Sequence, residues 1–181
     1  MKLRPGRATT ILASYSEWTA LSALRSGAPI KSRRDIYGLL AGLSFAEVLD
    51  ASRGPITVAA FEAWHRSRLH GVVAAHPKMD RQYGWAAKII NVYLKTYCYV
   101  GDRGRKGIRD CLHPPIDAGL WKAIKRRFKS DDKILADTHS VTTIAAIDSY
   151  DKYAKITKGL RVVAEKLGCS LIEVEQLWEK A

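Results

Sequence analysis

The stretch Gly84–Trp121, GWAAKIINVYLKTYCYVGDRGRKGIRDCLHPPIDAGLW, decides how this chain is read. In its first part Ile89, Val92, Tyr93, Thr96 and Tyr99 share one broad helical face. Such apolar density predicts a helix from about Gly84 or Trp85 to Tyr99 that is buried on most sides. Lys88 stands near the start of that helix. Gly101 to His113, basic and glycine-containing, reads as an exposed loop. Pro114-Pro115 then opens a helix of about Ile116 to Phe128, with Asp117 in its first turn. The two helix starts are expected to meet in space.

Charge concentrates in the same region. The formal net charge of the 181 residues is +12. Gly101 to Lys129 holds nine Lys/Arg and three Asp, so half of that charge lies in 29 residues. Such a balance favours an anionic partner, nucleic acid ahead of membrane, over a basic surface that serves solubility alone. Hydrophobic residues make up 47% of the chain, enough for a folded globule with a real core. Cys98, Cys111 and Cys169 are odd in number and irregularly spaced, which fits a reducing cytoplasm better than a disulfide framework. The start, MKLRPGRATT, has no long apolar run behind it and does not read as a secretory signal. No stretch approaches a membrane span. Cys98, Cys111, His113 and His76 match no zinc spacing, so neither a metal nor another cofactor is expected.

Upstream, residues 9–25 place Ile11, Leu12, Tyr15, Trp18, Leu21 and Leu24 at helical spacing. Residues 33–50 read as one or two short helices with Ile36, Leu39, Leu40, Leu43 and Phe45 inward, and Ser44 with Glu47 resembles a capping box. A longer helix from about Pro55 to Ala75 buries Val58, Phe61, Leu69 and Val72 or Val73, with His65 on the same stripe. Trp64 falls on another of its faces. Downstream, residues 130–140 read as polar linker, and 141–147 as a short strand or an ordered loop. Ser149–Leu167 is an amphipathic helix ended by Gly168. Ser170 and Glu173 form a capping box for a last helix, Leu171–Trp178. The class is all-α, with about seven or eight helices.

Two residue types in this pattern carry chemistry. Burial and the positive end of a helix both disfavour a charged lysine, so Lys88 is a candidate amine nucleophile toward an electrophilic carbon such as a sugar C1′. Asp117 at a helix start is a candidate to stabilise a developing oxocarbenium ion or to take a proton. The plainer alternatives are an N-cap for Asp117 and a snorkelling side chain for Lys88.

The order Gly84-Trp-Ala-Ala-Lys88, apolar IINVYL, then Pro115-Ile116-Asp117 resembles the helix-hairpin-helix DNA glycosylases. Lysine and aspartate are 29 apart, which places the resemblance nearest the archaeal 8-oxoguanine glycosylase branch and related glycosylases that attack modified phage DNA. It covers about 40 residues. It implies a compact two-lobed helical domain over 1–181, with lobes of about 1–54 plus 130–181 and 55–129, and the active site between them. It implies Lys88 as Schiff-base nucleophile, or as an orienting group in a monofunctional enzyme, and Asp117 as the essential carboxylate. The partner is then duplex DNA with a damaged or modified base, and the protein a monomer. Gln82 and Gly84 stand where the hairpin would hold a phosphate, though Ala86 replaces the usual second glycine. Arg103, Arg105, Lys106 and Arg109 are the other candidate DNA contacts. For the flipped base, the candidates are Trp64, Trp85, Trp121, Asn91 and His113, with His65 behind them, against the bland role of core or loop residues. Repair and phage defence both stay open. The rival is a non-catalytic basic helical DNA-binding protein.

Overall fold

Hydrophobic periodicity of 3.6 runs through nearly every segment, and helices follow. The computed structural model describes residues 7–24 and 27–178, and among these there is no strand. Nine α-helices occur among them: α1 (Arg7–Ser22), α2 (Arg33–Gly42), α3 (Ala46–Leu49), α4 (Val58–Ala75), α5 (Tyr83–Leu94), α6 (Ile108–Cys111), α7 (Ala118–Arg127), α8 (Asp132–Thr138) and α9 (Tyr150–Leu167). None is long and apolar enough to cross a membrane.

The central helix α5 is buried from Gly84 through Leu94. It continues into a π-helical segment, Lys95–Val100, whose wider turn carries Lys95 and Thr96. Helices α1, α4 and α9 pack around it. The buried side chains form one connected cluster that includes Ala20, Phe61, Ile90, Leu120 and Val163.

Caps explain several boundaries. Thr57 accepts the Ala60 N–H at 3.2 Å, so α4 begins at Val58 and Pro55 lies outside it. Val58 is consequently exposed, and Trp64, rather than facing away, is buried. Ser149 caps α9 and Gly168 ends it. Ser44 is no side-chain cap. α3 starts one residue later than a Ser44 cap implies, and Glu47 instead pairs with Arg68 at 2.9 Å. Glu173 does reach back to the Ser170 N–H at 2.8 Å, but the last helix is 3₁₀, Ile172–Leu177.

Two further departures follow from packing. The presumed linker 130–140 contains α8, capped by Asp131 and held to α9 through Ile134 and Thr138. Two inward residues four apart make too short a pattern to stand out in sequence. Residues 141–147 contain only one 3₁₀ turn, Ile144–Ala146. The apolar set expected over residues 9–25 divides: Leu21 and Leu24 pack against the core, where Ser16 and Ala20 are buried, while Ile11, Tyr15 and Trp18 are exposed.

Gly84 sits where α5 meets the 144–147 loop. Its N–H donates to the Ile147 carbonyl at 3.0 Å, and a Cβ there would overlap the Ile144 carbonyl oxygen. Gly84→Ala is therefore expected to lower stability by about 2–3 kcal/mol, since the obstacle is backbone. Gly71→Ala, where an added Cβ meets nothing within 4 Å, is expected to gain up to about 1 kcal/mol of helix propensity. Urea midpoints at constant slope check both.

Candidate active site

Lys88 and Asp117 come together. Lys88 Nζ lies 3.7 Å from Asp117 Oδ2, with the lysine nearly buried and the aspartate partly open. Because α5 starts at Tyr83, Lys88 is beyond its first turn, where the pull of the helix dipole has faded. Burial and the facing carboxylate are what act on it. Its Nζ is also 5.9 Å from the Trp85 ring centroid.

Asp117 is the N-cap of α7 and accepts the Leu120 N–H through Oδ1 at 3.1 Å. So the N-cap role and a place in the site are both real. Trp178 adds a donor from the far end of the chain: its Nε1–H points at Oδ1 and Oδ2, at 3.0 and 3.2 Å. This fixes the carboxylate plane while leaving it beside the lysine.

The pair lines a cavity of about 410 Å³, within the range of small-molecule sites. Trp18 and Trp178 are its aromatic walls, 50% and 38% exposed. Lys95 and Glu175, paired at 2.7 Å, contribute charge on another side. Thr19 and Thr96 share a 2.8 Å hydrogen bond that ties α1, and with it Trp18, to the π-helical segment.

The tryptophans named from sequence lie elsewhere. Trp64 and Trp121 are core residues whose indole N–H groups donate to the carbonyls of Ser44 and Thr138. Trp85 is buried behind Lys88 and is not a cavity wall. The two tryptophans that do line the cavity were missed because the pattern put Trp18 in the apolar stripe of α1 and Trp178 at the end of the last helix, and neither place marks a cavity.

Asn91 and His113 are likewise redirected, into a buried polar relay. The Asn91 amide donates to the Pro114 carbonyl at 3.2 Å and to Tyr153 Oη at 3.1 Å. Its oxygen is then left to accept the His65 Nε2–H at 2.8 Å. Tyr153 donates its one proton to His113 Nδ1 at 2.8 Å, and His113 Nε2–H donates to Glu62 at 2.8 Å. Arg161 closes the relay on Glu62. Asn91 therefore reads no base edge. It fixes the approach to Asp117 relative to the helix that carries Lys88.

The candidate DNA contacts also separate. Gly84 offers no N–H to a phosphate, since Ile147 takes it. Gln82 precedes α5 without a side-chain cap bond. Arg105 is structural: its guanidinium donates to the carbonyls of Glu47, Arg53, Gly54 and Pro55 at 2.6–3.3 Å. Arg109 pairs with Asp102 and lies 4.9 Å over the Tyr99 ring. Arg103 and Lys106 are exposed on the wall of a shallow groove of about 420 Å³. The three cysteines are free, and burial pushes the Cys98 thiol up to about 12. Among the described residues no three His, Cys, Asp or Glu side chains cluster as a metal site would require.

Comparison of the chain with protein-family models, with curated proteins and with solved structures finds no match.

The relay sets an acid limit. Burial opposes the Glu62 anion, but the His113 hydrogen bond and the charges of His113 and Arg161 outweigh it and hold the carboxyl at about 2. Its stabilisation is complete above the ordinary value of 4.5 and is lost as pH falls through about 2. Burial holds His65 down to about 3, so the unfolded imidazole takes up its proton first and stability falls as pH drops from 6.5 toward 3. Chemical unfolding followed from pH 7 to pH 2 is expected to show both limbs. Glu62→Gln should flatten the lower one and leave the His65 decline, from about 6.5 toward 3.

Proposed function

We propose that the chain is a DNA glycosylase that draws a damaged or modified base into the Lys88–Asp117 cavity and severs its bond to the sugar. The observation that carries this reading is the amine 3.7 Å from a carboxylate, inside a cavity walled by two exposed tryptophans. A flat, apolar base suits aromatic walls, and the two charged groups suit the sugar carbon at its edge.

In this reading Asp117 takes a proton from Lys88, and the freed amine attacks C1′. The N-glycosidic bond breaks with its electron pair on the base, which leaves with the proton that Asp117 took from Lys88 and so returns Asp117 to its anion. Sugar ring opening gives a Schiff base on Lys88, from which β-elimination can break the strand. Asp117, held by Leu120 N–H and Trp178 Nε1–H, also faces the positive charge that builds on the sugar. If the enzyme is monofunctional, Asp117 activates water and Lys88 only orients the substrate. Net charge of +12 supports the DNA partner.

A second reading is a non-catalytic basic DNA-binding protein. Its support is the ion pair itself, which also suits a purely structural tie between α5 and α7.

The test is excision from a panel of duplexes carrying 8-oxoguanine, uracil or modified cytosines, together with glucosylated phage DNA. Lys88→Gln and Asp117→Asn are each expected to lower excision about a hundredfold or more. Borohydride should trap a covalent DNA adduct with the parent protein and none with Lys88→Gln. Trp178→Phe keeps the ring but loses the donor to Asp117, and about a tenfold loss is expected at unchanged thermal stability. Excision without trapping selects the monofunctional form. No excision, with salt-sensitive DNA binding equal in all variants, selects the second reading.

A further inference from the structure

The outward face of α1 has no job in the packing. Ile11 is 69% exposed, Tyr15 51% and Trp18 50%. Three large apolar side chains at i, i+4 and i+7 on one surface stripe are uncommon in a helix that otherwise buries Ser16 and Ala20. The rings of Tyr15 and Trp18 are stacked, with centroids 5.6 Å apart and planes 21° from parallel. Trp18 belongs to both features: it is one end of this stack and one wall of the Lys88–Asp117 cavity. The stripe is therefore a continuation of the cavity onto the surface.

Charge decides what kind of partner fits. The chain carries a formal net charge of +12, and Glu17 is the single acid within α1. An apolar protein partner needs no such balance, whereas a polyanion with flat apolar rings needs both parts. From Ile11 to Trp18 is seven residues, about 10 Å along a helix, the length of roughly three stacked bases. Every base has a ring face, so stacking of this sort is tolerant of sequence. An intact duplex hides those faces and a single strand shows them.

We propose that Ile11, Tyr15 and Trp18 form a stacking platform for unpaired bases of single-stranded DNA, leading the strand into the Lys88–Asp117 cavity. This rests on the reading of that cavity as the place where a base is removed, and it narrows the substrate to single-stranded or locally melted DNA. Bases flanking the target stack on Tyr15 and against Ile11. The target itself passes Trp18 into the cavity without the unstacking cost that a duplex imposes.

The experiment uses the full chain and a short fluorescein-labelled oligothymidine, alone or annealed to its complement. Anisotropy is expected to show tighter binding to the single strand. Tyr15→Ala should weaken that binding about tenfold and duplex binding much less, with Tyr15→Phe restoring it. Ile11→Ala should act in the same direction. Thermal unfolding should not change, because both side chains are exposed. Equal loss on both DNA forms, or no loss on either, overturns the platform. So does a dimer in light scattering that Tyr15→Ala converts to monomer while single-strand binding is unchanged, which makes the stripe a contact between copies of this chain. Excision on single-stranded and duplex substrates is measured in parallel. Excision that needs Lys88 but ignores Tyr15 removes the platform and keeps the glycosylase. Tyr15-dependent single-strand binding with no excision of any substrate keeps the platform and removes the glycosylase.

Discussion

The Asn91 side chain makes its hydrogen bonds to three separate segments: His65 on α4, Pro114 on the approach to α7, and Tyr153 on α9. All of these lie in the interior, where a donor or acceptor left without a partner costs about 1–3 kcal/mol. One amide therefore sets where two helices and a loop sit around α5. Lys88 is one turn before Asn91 on the same helix, and Asp117 is three residues after Pro114. The separation of the candidate catalytic groups is thus fixed from behind, by a residue that touches neither. Tyr153, His113, Glu62 and Arg161 extend the same hold to the surface.

The pair in front of this frame is unequal. Lys88 is shut in by α5, while Asp117 stands at the open side with Trp178 across it. A buried cation facing one carboxylate depends on that carboxylate, because losing either partner leaves a charge in a poor solvent. The nearby Lys95–Glu175 pair adds no net charge to the cavity. Positive charge gathers instead on the wider surface, including the basic end of α7 at Lys125, Arg126 and Arg127.

The helical class was legible because α5, α4 and α9 are long and strongly patterned, and because Gly168 and Ser170 punctuate the chain in standard ways. The meeting of Lys88 and Asp117 was legible from two helix starts separated by a loop. The inward faces of α2 and α4 were legible as well, through Ile36, Leu39, Leu40, Phe61 and Leu69. Periodicity marks a stripe but not its neighbour, so over residues 9–25 it did not separate Leu21 and Leu24, which pack on the core, from Ile11, Tyr15 and Trp18, which point outward. Trp64, Trp85 and Trp121 fall on faces that the core claims, and Trp18 and Trp178 on faces that it leaves. Asn91 was placed on the Lys88 face by a simple count of residues. Its partners, which come from positions 65, 114 and 153, decide that it looks inward. Arg105 carried a basic loop's expected role until four carbonyls from residues 47–55 were found around it. Short-range pattern failed where long-range partners chose the role.

The split among the five tryptophans gives the molecule its own optical labels. Trp64, Trp85 and Trp121 are sealed in the core, and Trp18 and Trp178 stand at the cavity. Indole emission shifts to longer wavelength when the ring meets water, and a dissolved quencher reaches only rings that it can touch. The red, quenchable part of the fluorescence thus belongs to the cavity, and the blue, protected part to the frame. Any molecule that enters between Trp18 and Trp178 writes its arrival in the first component alone, with no dye attached and no residue changed.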